Sequence, residues 1–304
     1  MTALPQAVPA GPRSGELPGE MFETSDASAL SGWIREQRQA GRRIGLVPTM
    51  GALHEGHLAL VDEAGRRADR VVMSLFVNPL QFGPHEDFDR YPRDLVRDRA
   101  LAAARGVDAL FTPDVATMYP PGSETRIVPG PAASRWEGAV RPGHFTGVLT
   151  VVGKLFHLVQ PDLACFGQKD IQQVTLIRLM VRDLDWPIEI AMVPTVREPD
   201  GVALSSRNAY LGAEDRRAAR GLSAALRAAA GAWAGGEVAA AGLEAIMRAE
   251  LAMFSGVAVD YIAITEPERL EPVARAQSGT VIALAARVGP ARLLDNIILG
   301  QEPA

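Results

Sequence analysis

The sequence predicts an α/β fold, in which a Rossmann-like parallel sheet carries helices on both faces and a smaller α+β C-terminal domain follows. Short apolar runs such as 44-IGLVPT-49 and 70-RVVMSLFV-77 alternate with segments of helical periodicity, as in parallel sheets covered on both sides. After about residue 212, helical segments come first and strands follow, which indicates a separate α+β unit. We therefore expect a flexible tail over 1–22, a Rossmann-like domain over 23–195 and a lid domain over 196–304.

Strands and helices are expected to alternate throughout the first domain. Thr24 or Ser25 can cap the first helix, Gly41 can end it, and Asn78-Pro79 stops the second strand. Because crossovers between parallel strands are right-handed, the carboxyl ends of the strands meet at one edge, where ligands bind. The predicted strands are 44–49, 70–77, 107–113, 162–166 and 188–195, and the predicted helices are about 26–40, 55–68, 94–105, 145–159 and 169–183.

The second domain is expected to begin with two helices. Residues 213–254 are rich in Ala, Arg, Glu and Leu, and Leu222, Leu226, Leu243 and Met247 punctuate them, which favours helix over low complexity. The strands expected after these helices are 258–264, 280–288 and 291–299.

The composition is that of an ordinary globular protein, with 304 residues, 47% hydrophobic residues and a formal net charge of −5. The acidic balance argues against a large nucleic-acid interface, and no uncharged apolar run reaches the roughly 18 residues of a membrane span. The N-terminal segment lacks the pattern of a secretory signal. The single cysteine, Cys165, excludes an internal disulfide and a cysteine-based metal site, and it fits a reducing cytoplasm.

Two histidines stand three residues apart in 47-VPTMGALHEGHLAL-60, directly after a predicted strand. If a helix begins near His54, its free N–H groups and its dipole point at the ligand-binding edge, and His54 and His57 share one face. Gly51 and Gly56 leave room for a ligand close to the backbone, so the combination favours a phosphate site. The alternatives are ordinary residues of a helix start, or a zinc site, for which no third ligand is nearby in the sequence.

The stretch V-P-T-M-G-A-L-H-E-G-H resembles the His-x-x-His signature of the nucleotidyltransferase superfamily. Four further segments, 74–93, 143–170, 171–184 and 193–211, resemble the pantothenate synthetase family of pantoate–β-alanine ligases, and the similarity extends over about 24–300. The resemblance implies ATP-dependent condensation of (R)-pantoate with β-alanine to pantothenate through a pantoyl-adenylate intermediate, with release of AMP and pyrophosphate. It also implies Mg²⁺ as a cofactor and a cytoplasmic homodimer.

The resemblance places the nucleotide on three segments of the chain. Catalysis is expected from His57, as proton donor to a phosphate oxygen, together with His54 and Lys169. Members of the family usually carry Glu where Gln168 stands, a departure that removes a charge and leaves Lys169 intact. The residues expected to bind ATP are Met50, Gly51, Ala52, Leu53, His54, Glu55, Gly56, His57, Gly167, Gln168, Lys169, Asp170, Val196, Leu204, Ser205, Ser206 and Arg207.

The organic substrates are expected at two amides. Gln81 and Gln173 offer donors and acceptors suited to a small hydroxy acid, and the resemblance implies pantoate at both, with β-alanine also at Gln81. Asp98 is expected to help hold Mg²⁺, although Arg97 stands where relatives carry a second carboxylate.

Several neighbouring groups have two interpretations. Arg141, His144 and Tyr91 either line a substrate channel or serve the structure, and the carboxylates of 86-EDFD-89 are expected to be solvated. The segment 204-LSSRN-208 resembles a degenerate Lys-Met-Ser-Lys-Ser loop, whose hydroxyls and guanidinium clamp phosphates as a lid closes. The alternative for this segment is a helix N-cap.

Two other functions remain open at this stage. A nucleotidylyltransferase that transfers AMP to a phosphate ester would share the histidines, but it needs no pair of substrate-facing amides. A nucleotide-binding sensor would bind ATP without releasing AMP. An aminoacyl-tRNA synthetase is disfavoured, because the roughly 100 remaining residues contain no recognisable tRNA-binding module.

Overall fold

The computed structural model describes residues 20–84 and 86–301. These residues form a six-stranded sheet in which all neighbouring strands are parallel. Its strands are β1 Phe22–Thr24, β2 Ile44–Thr49, β3 Arg70–Leu75, β4 Ala109–Phe111, β5 Leu163–Gly167 and β6 Glu189–Val193. Their spatial order is β1-β4-β3-β2-β5-β6, so the winding reverses between β2 and β5. In open α/β sheets a ligand crevice lies at the carboxyl side of such a reversal.

The alternation of side chains along each strand separates two apolar cores. The helices around them are α1 Ala27–Gln39, α2 Glu55–Arg67, α3 Leu95–Ala104, α4 Val115–Met118, α5 Glu137–Val140, α6 His144–Val159 and α7 Ile171–Asp183. Ile44 and Leu46 of β2 belong to the core under α1, α6 and α7, whereas Val47 belongs to the core under α2 and α3. Cys165 on β5 is fully buried in the second of these cores, where burial raises the pKa of its thiol to about 12.

A three-stranded antiparallel sheet follows, built from β7 Val257–Thr265, β8 Val281–Val288 and β9 Ala291–Ile298. One face packs against α8 Ala213–Ala234 and α9 Ala240–Leu251, in a core that includes Leu226 and Leu243. Residues of the other face, such as Ala263 and Val281, cluster with Ile171 at the start of α7. The second sheet therefore lies directly against the carboxyl side of the parallel sheet.

The predicted fold class is confirmed, with differences confined to short elements. Strand β1 was not predicted, and Phe22, which was assigned to the tail, begins it. Residues 1–19 of that tail lie outside the described residues. Helices α4 and α5 were also missed, and α7 begins at Ile171 after a 3₁₀ turn over Gln168–Asp170. Within the described ranges, no helix has both the length and the apolar character needed to cross a membrane.

Candidate active site

A cleft of about 1140 Å³ opens between the carboxyl edge of the parallel sheet and the β8–β9 hairpin. Its floor includes Thr49, Ser74 and Gly167, which stand at the ends of β2, β3 and β5. Arg287 and Arg292 line it from the second sheet. The cleft thus occupies the crevice that the strand order predicts.

The two histidines of the sequence motif face this cleft where α2 begins. His54 is the N-cap residue, with extended backbone and no cap hydrogen bond from its side chain. Its ring stacks on that of His57, with centroids 4.1 Å apart and planes inclined by 30°. A Cβ on residue 56 would lie 2.9 Å from Cε1 of His54, so Gly56 permits this ring position.

Both imidazoles are neutral in the free protein at pH 7. Burial, His54 and Lys169 together lower the pKa of His57 to about 3. Burial and Lys169 lower the pKa of His54 to about 4. A neutral imidazole still donates one N–H, and a polyphosphate beside the pair would raise both pKa values.

Asp98, which was expected to help hold Mg²⁺, holds the loop that precedes the histidines. Its buried carboxylate accepts the N–H of Ala52 at 2.7 Å and that of Leu53 at 2.8 Å. These bonds fix Ala52 in the left-handed region (φ 51°), a strained conformation for a residue with a Cβ. Gly51 is also left-handed, and a Cβ there would lie 2.9 Å from Oδ2 of Asp98. Since both carboxylate oxygens are hydrogen-bonded beneath the loop, Asp98 positions the loop and does not line the cleft.

Lys169 and Asp170 enter the cleft from the turn between β5 and α7. The ammonium of Lys169 lies 3.7 Å from Oδ1 of Asp170. Gln168 points toward the second sheet instead, where its Nε2 donates to Oδ1 of Asn296 at 3.2 Å. Asn296 in turn donates to the carbonyl groups of Gln168 and Lys169 at 2.9 and 3.0 Å. Gln168, which was expected to contact ATP, therefore joins the two sheets and is not among the residues that line the cleft.

Gln81 is fixed through both its side chain and its main chain. Its Oε1 accepts a hydrogen bond from Asn78 at 3.1 Å, and its Nε2 donates to Sδ of Met50. Its carbonyl group accepts from Nδ1 of His144 at 2.8 Å and from Nη2 of Arg141 at 3.1 Å. Because Nδ1 donates, Nε2 of His144 accepts from Nη1 of Arg141 at 3.1 Å. This ring is neutral, in agreement with a pKa that burial lowers to about 4.

The 204–208 loop is held by a carboxylate that was wrongly expected to be solvated. Arg207 donates from Nε and Nη2 to the two oxygens of Asp87, each at 2.9 Å. Its guanidinium lies 5.8 Å from the ring centre of Tyr91, whose hydroxyl is 3.2 Å from Oγ of Ser206. Glu86, which precedes Asp87, accepts hydrogen bonds from Nη2 and Nε of Arg141, at 2.6 and 2.7 Å. The loop is thereby docked on the first domain beside the cleft.

Most of the buried side-chain polar atoms that lack a partner among the described residues line this cleft. They are Nδ1 of His54 and of His57, Oγ of Ser74, Oγ1 of Thr195 and Nη2 of Arg292. Such an atom costs about 1–3 kcal/mol, and native proteins keep few of them outside functional sites. Sequence reasoning missed Ser74 and Thr195, although their positions at strand ends placed them at the expected edge.

The structure brings together most of the predicted site residues and separates a few. Glu55 points away to Arg105, whose Nη2 lies 3.2 Å from its Oε2. Gly51, Ala52 and Leu53 are not among the residues that line the cleft, and their N–H groups donate to Thr49 and Asp98. The predicted residues that line the cleft are Met50, His54, Gly56, His57, Gln81, Gly167, Lys169, Asp170, Gln173, Val196, Leu204, Ser205, Ser206 and Arg207.

Comparison with known proteins assigns the chain to a family. The sequence profile described as Pantoate-beta-alanine ligase matches residues 23–298. The chain belongs to this family. It is 52% identical over 280 residues to a pantothenate synthetase of Moorella thermoacetica, a match that covers 92% of this chain and 98% of that protein. It is 54% identical over 279 residues to one of Anaeromyxobacter dehalogenans, with 90% and 96% covered.

Solved structures of pantoate–β-alanine ligases share the fold. The pantothenate synthetase of Thermus thermophilus matches with a TM-score of 0.87 and 49% identity, over 91% of this chain and 99% of that one. A pantoate–β-alanine ligase of Francisella tularensis, complexed with β,γ-ATP and β-alanine, matches with a TM-score of 0.76 and 34% identity, over 93% and 100%. The chain is thus a ligase of this family, and the relatives support this activity over the nucleotidylyltransferase alternative.

Proposed function

We propose that the cleft condenses (R)-pantoate with β-alanine to pantothenate, using ATP and releasing AMP and pyrophosphate. The observation that carries the proposal is the neutral histidine pair beside Lys169 at a helix start, with buried nitrogens that lack a protein partner among the described residues. Such a constellation suits a phosphate group whose charge grows during reaction. The names of the relatives, and the ATP and β-alanine bound to the F. tularensis protein, support the choice of substrates.

The reaction divides into two displacements. The carboxylate of pantoate attacks the α-phosphorus of ATP and pyrophosphate leaves, which gives pantoyl adenylate. The amine of β-alanine then attacks the acyl carbon and AMP leaves. The protein supplies positioning and electrostatic stabilisation rather than a covalent nucleophile. His54 and His57 donate N–H groups to phosphate oxygens beside the cation of Lys169, and the pKa of His57, raised by the polyphosphate, allows it to act as the proton donor.

The other cleft residues divide between the two ends of the reaction. Gln81 and Gln173 bind pantoate, with β-alanine also at Gln81. Ser205, Ser206 and Arg207 hold the leaving pyrophosphate when the lid domain over 196–304 closes on the domain over 23–195.

We propose that Mg²⁺ enters the cleft on the nucleotide. Among the described residues no group of three or more His, Cys, Asp or Glu side chains could hold a metal ion. Mg²⁺ is commonly held by one or two carboxylates together with substrate phosphates, and Asp170 offers a partly exposed carboxylate in the cleft. The ion would neutralise phosphate charge.

The test is the exchange of labelled pyrophosphate into ATP, which reports the first step without β-alanine. His57→Ala should lower pantoate-dependent exchange by roughly 10²–10³-fold, because one stabilising donor is lost. Circular dichroism should show that the variant keeps its fold. Near-normal exchange would remove the proposed role of His57, and exchange that depended on a phosphorylated acceptor instead of pantoate would favour the nucleotidylyltransferase.

A homodimer in the cytoplasm is the setting that we propose for this activity. The family resemblance supports the dimer, and the single buried thiol of Cys165 is compatible with a reducing compartment. Light scattering at assay concentrations would test the dimer, and a monomer mass would refute it.

A further inference from the structure

A chain of ion pairs runs from the second sheet to Gln81. Arg292 on β9 donates from Nη1 to both oxygens of Glu137, at 2.6 and 2.7 Å, and from Nε to Asp260 at 2.6 Å. Oε1 of Glu137 also accepts from Nη1 of Arg141 at 3.3 Å. Nη2 of Arg141 donates to the carbonyl group of Gln81 at 3.1 Å. One carboxylate therefore joins a guanidinium of each domain.

Glu137 is held in this position with unusual firmness. It is only 4% exposed, and its N–H donates to Oε1 of the buried Gln172 at 3.0 Å. The preceding residue, Trp136, has left-handed backbone (φ 48°), a strained conformation that surrounding contacts must enforce. Its indole N–H donates to the carbonyl group of Leu270 in the second domain at 3.0 Å. The strained turn that presents Glu137 is thus anchored on the second domain as well.

Arg141 has no donor to spare. Its Nε and one Nη2 hydrogen serve Glu86, and the other Nη2 hydrogen serves Gln81. The two hydrogens of Nη1 serve Glu137 and His144. Because a guanidinium has five N–H groups in a fixed plane, moving Glu137 rotates the plane and disturbs the donor at Gln81.

We propose that Glu137 is a positioning residue, which sets the place of Gln81 through Arg141 according to the placement of Arg292 on the second sheet. Pantoate then meets a correctly placed Gln81 only when the second domain is seated against α5. This inference rests on the proposed pantoate contact of Gln81. It assigns a positioning role to Glu137, whose carboxylate oxygens are bonded to Arg292 and Arg141, and it links the two domains to one substrate rather than to ATP.

The test compares steady-state kinetics of Glu137→Gln with those of the parent enzyme. The amide keeps the size of the side chain but removes the charge that aligns both guanidinium groups. We expect the KM for pantoate to rise roughly tenfold, with kcat and the KM for ATP within about threefold, because uniform binding of one substrate is weakened. Gln81→Ala is the reference for the pantoate contact.

The control is Arg67→Gln, which removes ion pairs with Glu63 and Glu189 at the amino end of the strands, far from the cleft. It should alter stability without altering the KM for pantoate. The double variant Glu137→Gln/Arg292→Gln separates positioning from stability. In Glu137→Gln, the guanidinium of Arg292 keeps Asp260 as its carboxylate partner. Removing this guanidinium should restore part of the resistance to urea, while the KM for pantoate stays raised.

The outcomes are distinguishable. If Gln81→Ala leaves the KM for pantoate unchanged, both the proposed pantoate contact of Gln81 and the positioning role of Glu137 are refuted. If Gln81→Ala raises the KM for pantoate and Glu137→Gln does not, only the positioning role of Glu137 is refuted. Recovery of the KM together with stability in the double variant would also overturn it. If Glu137→Gln does not fold, Arg292→Lys replaces it in the test. Because an ammonium cannot bind Glu137 and Asp260 with the geometry of a guanidinium, the KM for pantoate should rise roughly threefold. An unchanged KM would refute the positioning role of Glu137.

Discussion

Replacing Asp98 by Asn tests how the histidine loop is held. The carboxylate accepts two backbone N–H groups, from Ala52 at 2.7 Å and from Leu53 at 2.8 Å, in a side chain that is only 3% exposed. An amide keeps one acceptor and turns an NH₂ group toward the other N–H, so two buried donors oppose each other. Loss of one charge-assisted bond and the new unsatisfied donors should together lower the free energy of unfolding by about 2–4 kcal/mol. Relaxation of the left-handed Ala52 should also displace His54.

Urea unfolding and pantoate-dependent pyrophosphate exchange measure the two effects. We expect exchange to fall roughly 10- to 100-fold, because the donors at the reacting phosphate are misplaced. The control is Asp26→Asn, at the N-cap of α1, where Asn caps as well as Asp and stability should change by less than about 0.5 kcal/mol. Unchanged stability of Asp98→Asn would refute this reasoning. If Asp98→Asn has unchanged stability but requires more Mg²⁺ for pyrophosphate exchange, the result would favour Asp98 as a Mg²⁺ ligand.

Two further predictions concern the substrate loop and pH. In Gly147→Ala, the new Cβ would lie 2.1 Å from the carbonyl oxygen of Leu80, so the loop that carries Gln81 must shift. Steady-state kinetics should show a raised KM for pantoate, and urea unfolding should show a free energy of unfolding lower by about 1–3 kcal/mol. An unchanged KM would contradict the predicted loop shift. The pKa values of His54 and His144 are lowered to about 4, and that of His57 to about 3, from 6.5. Below pH 6.5 the unfolded chain therefore binds more protons than the folded chain. The free energy of unfolding is highest above that pH and falls as the pH is lowered toward 4. Urea unfolding at pH 7 and pH 5 should differ by on the order of 1–2 kcal/mol per histidine, and equal values would refute neutral burial.

The elements that sequence predicted well are those with a strong local pattern. Strands β2 and β3 are apolar runs bounded by turn residues, and α2 carries Leu58, Val61 and Ala64 at helical spacing. The missed elements are short: β1 has three residues and α5 has four. Segments of that length hold too little periodicity to be distinguished from loop, and tertiary contacts stabilise them.

The features of the site that the sequence did not reveal depend on partners that are distant in sequence. The carboxylate of Asp87 looks solvated in its own segment, yet its partner Arg207 lies 120 residues away. The family resemblance implies metal binding for Asp98, and only the fold reveals that its carboxylate accepts the N–H groups of residues 52 and 53. His54 and His57 needed no such information, because their spacing and the preceding strand already placed them at the sheet edge.

The burial of the single thiol makes this chain a convenient host for spectroscopic labels. Cys165 is buried, and because its pKa is raised the thiol stays protonated. Maleimide reagents should therefore not react with it while the protein is folded. Cysteines introduced at Val96 and Met253, which are 77% and 80% exposed and lie on different domains, would be the only reactive pair. Fluorescent dyes attached there would report interdomain distance in solution during turnover.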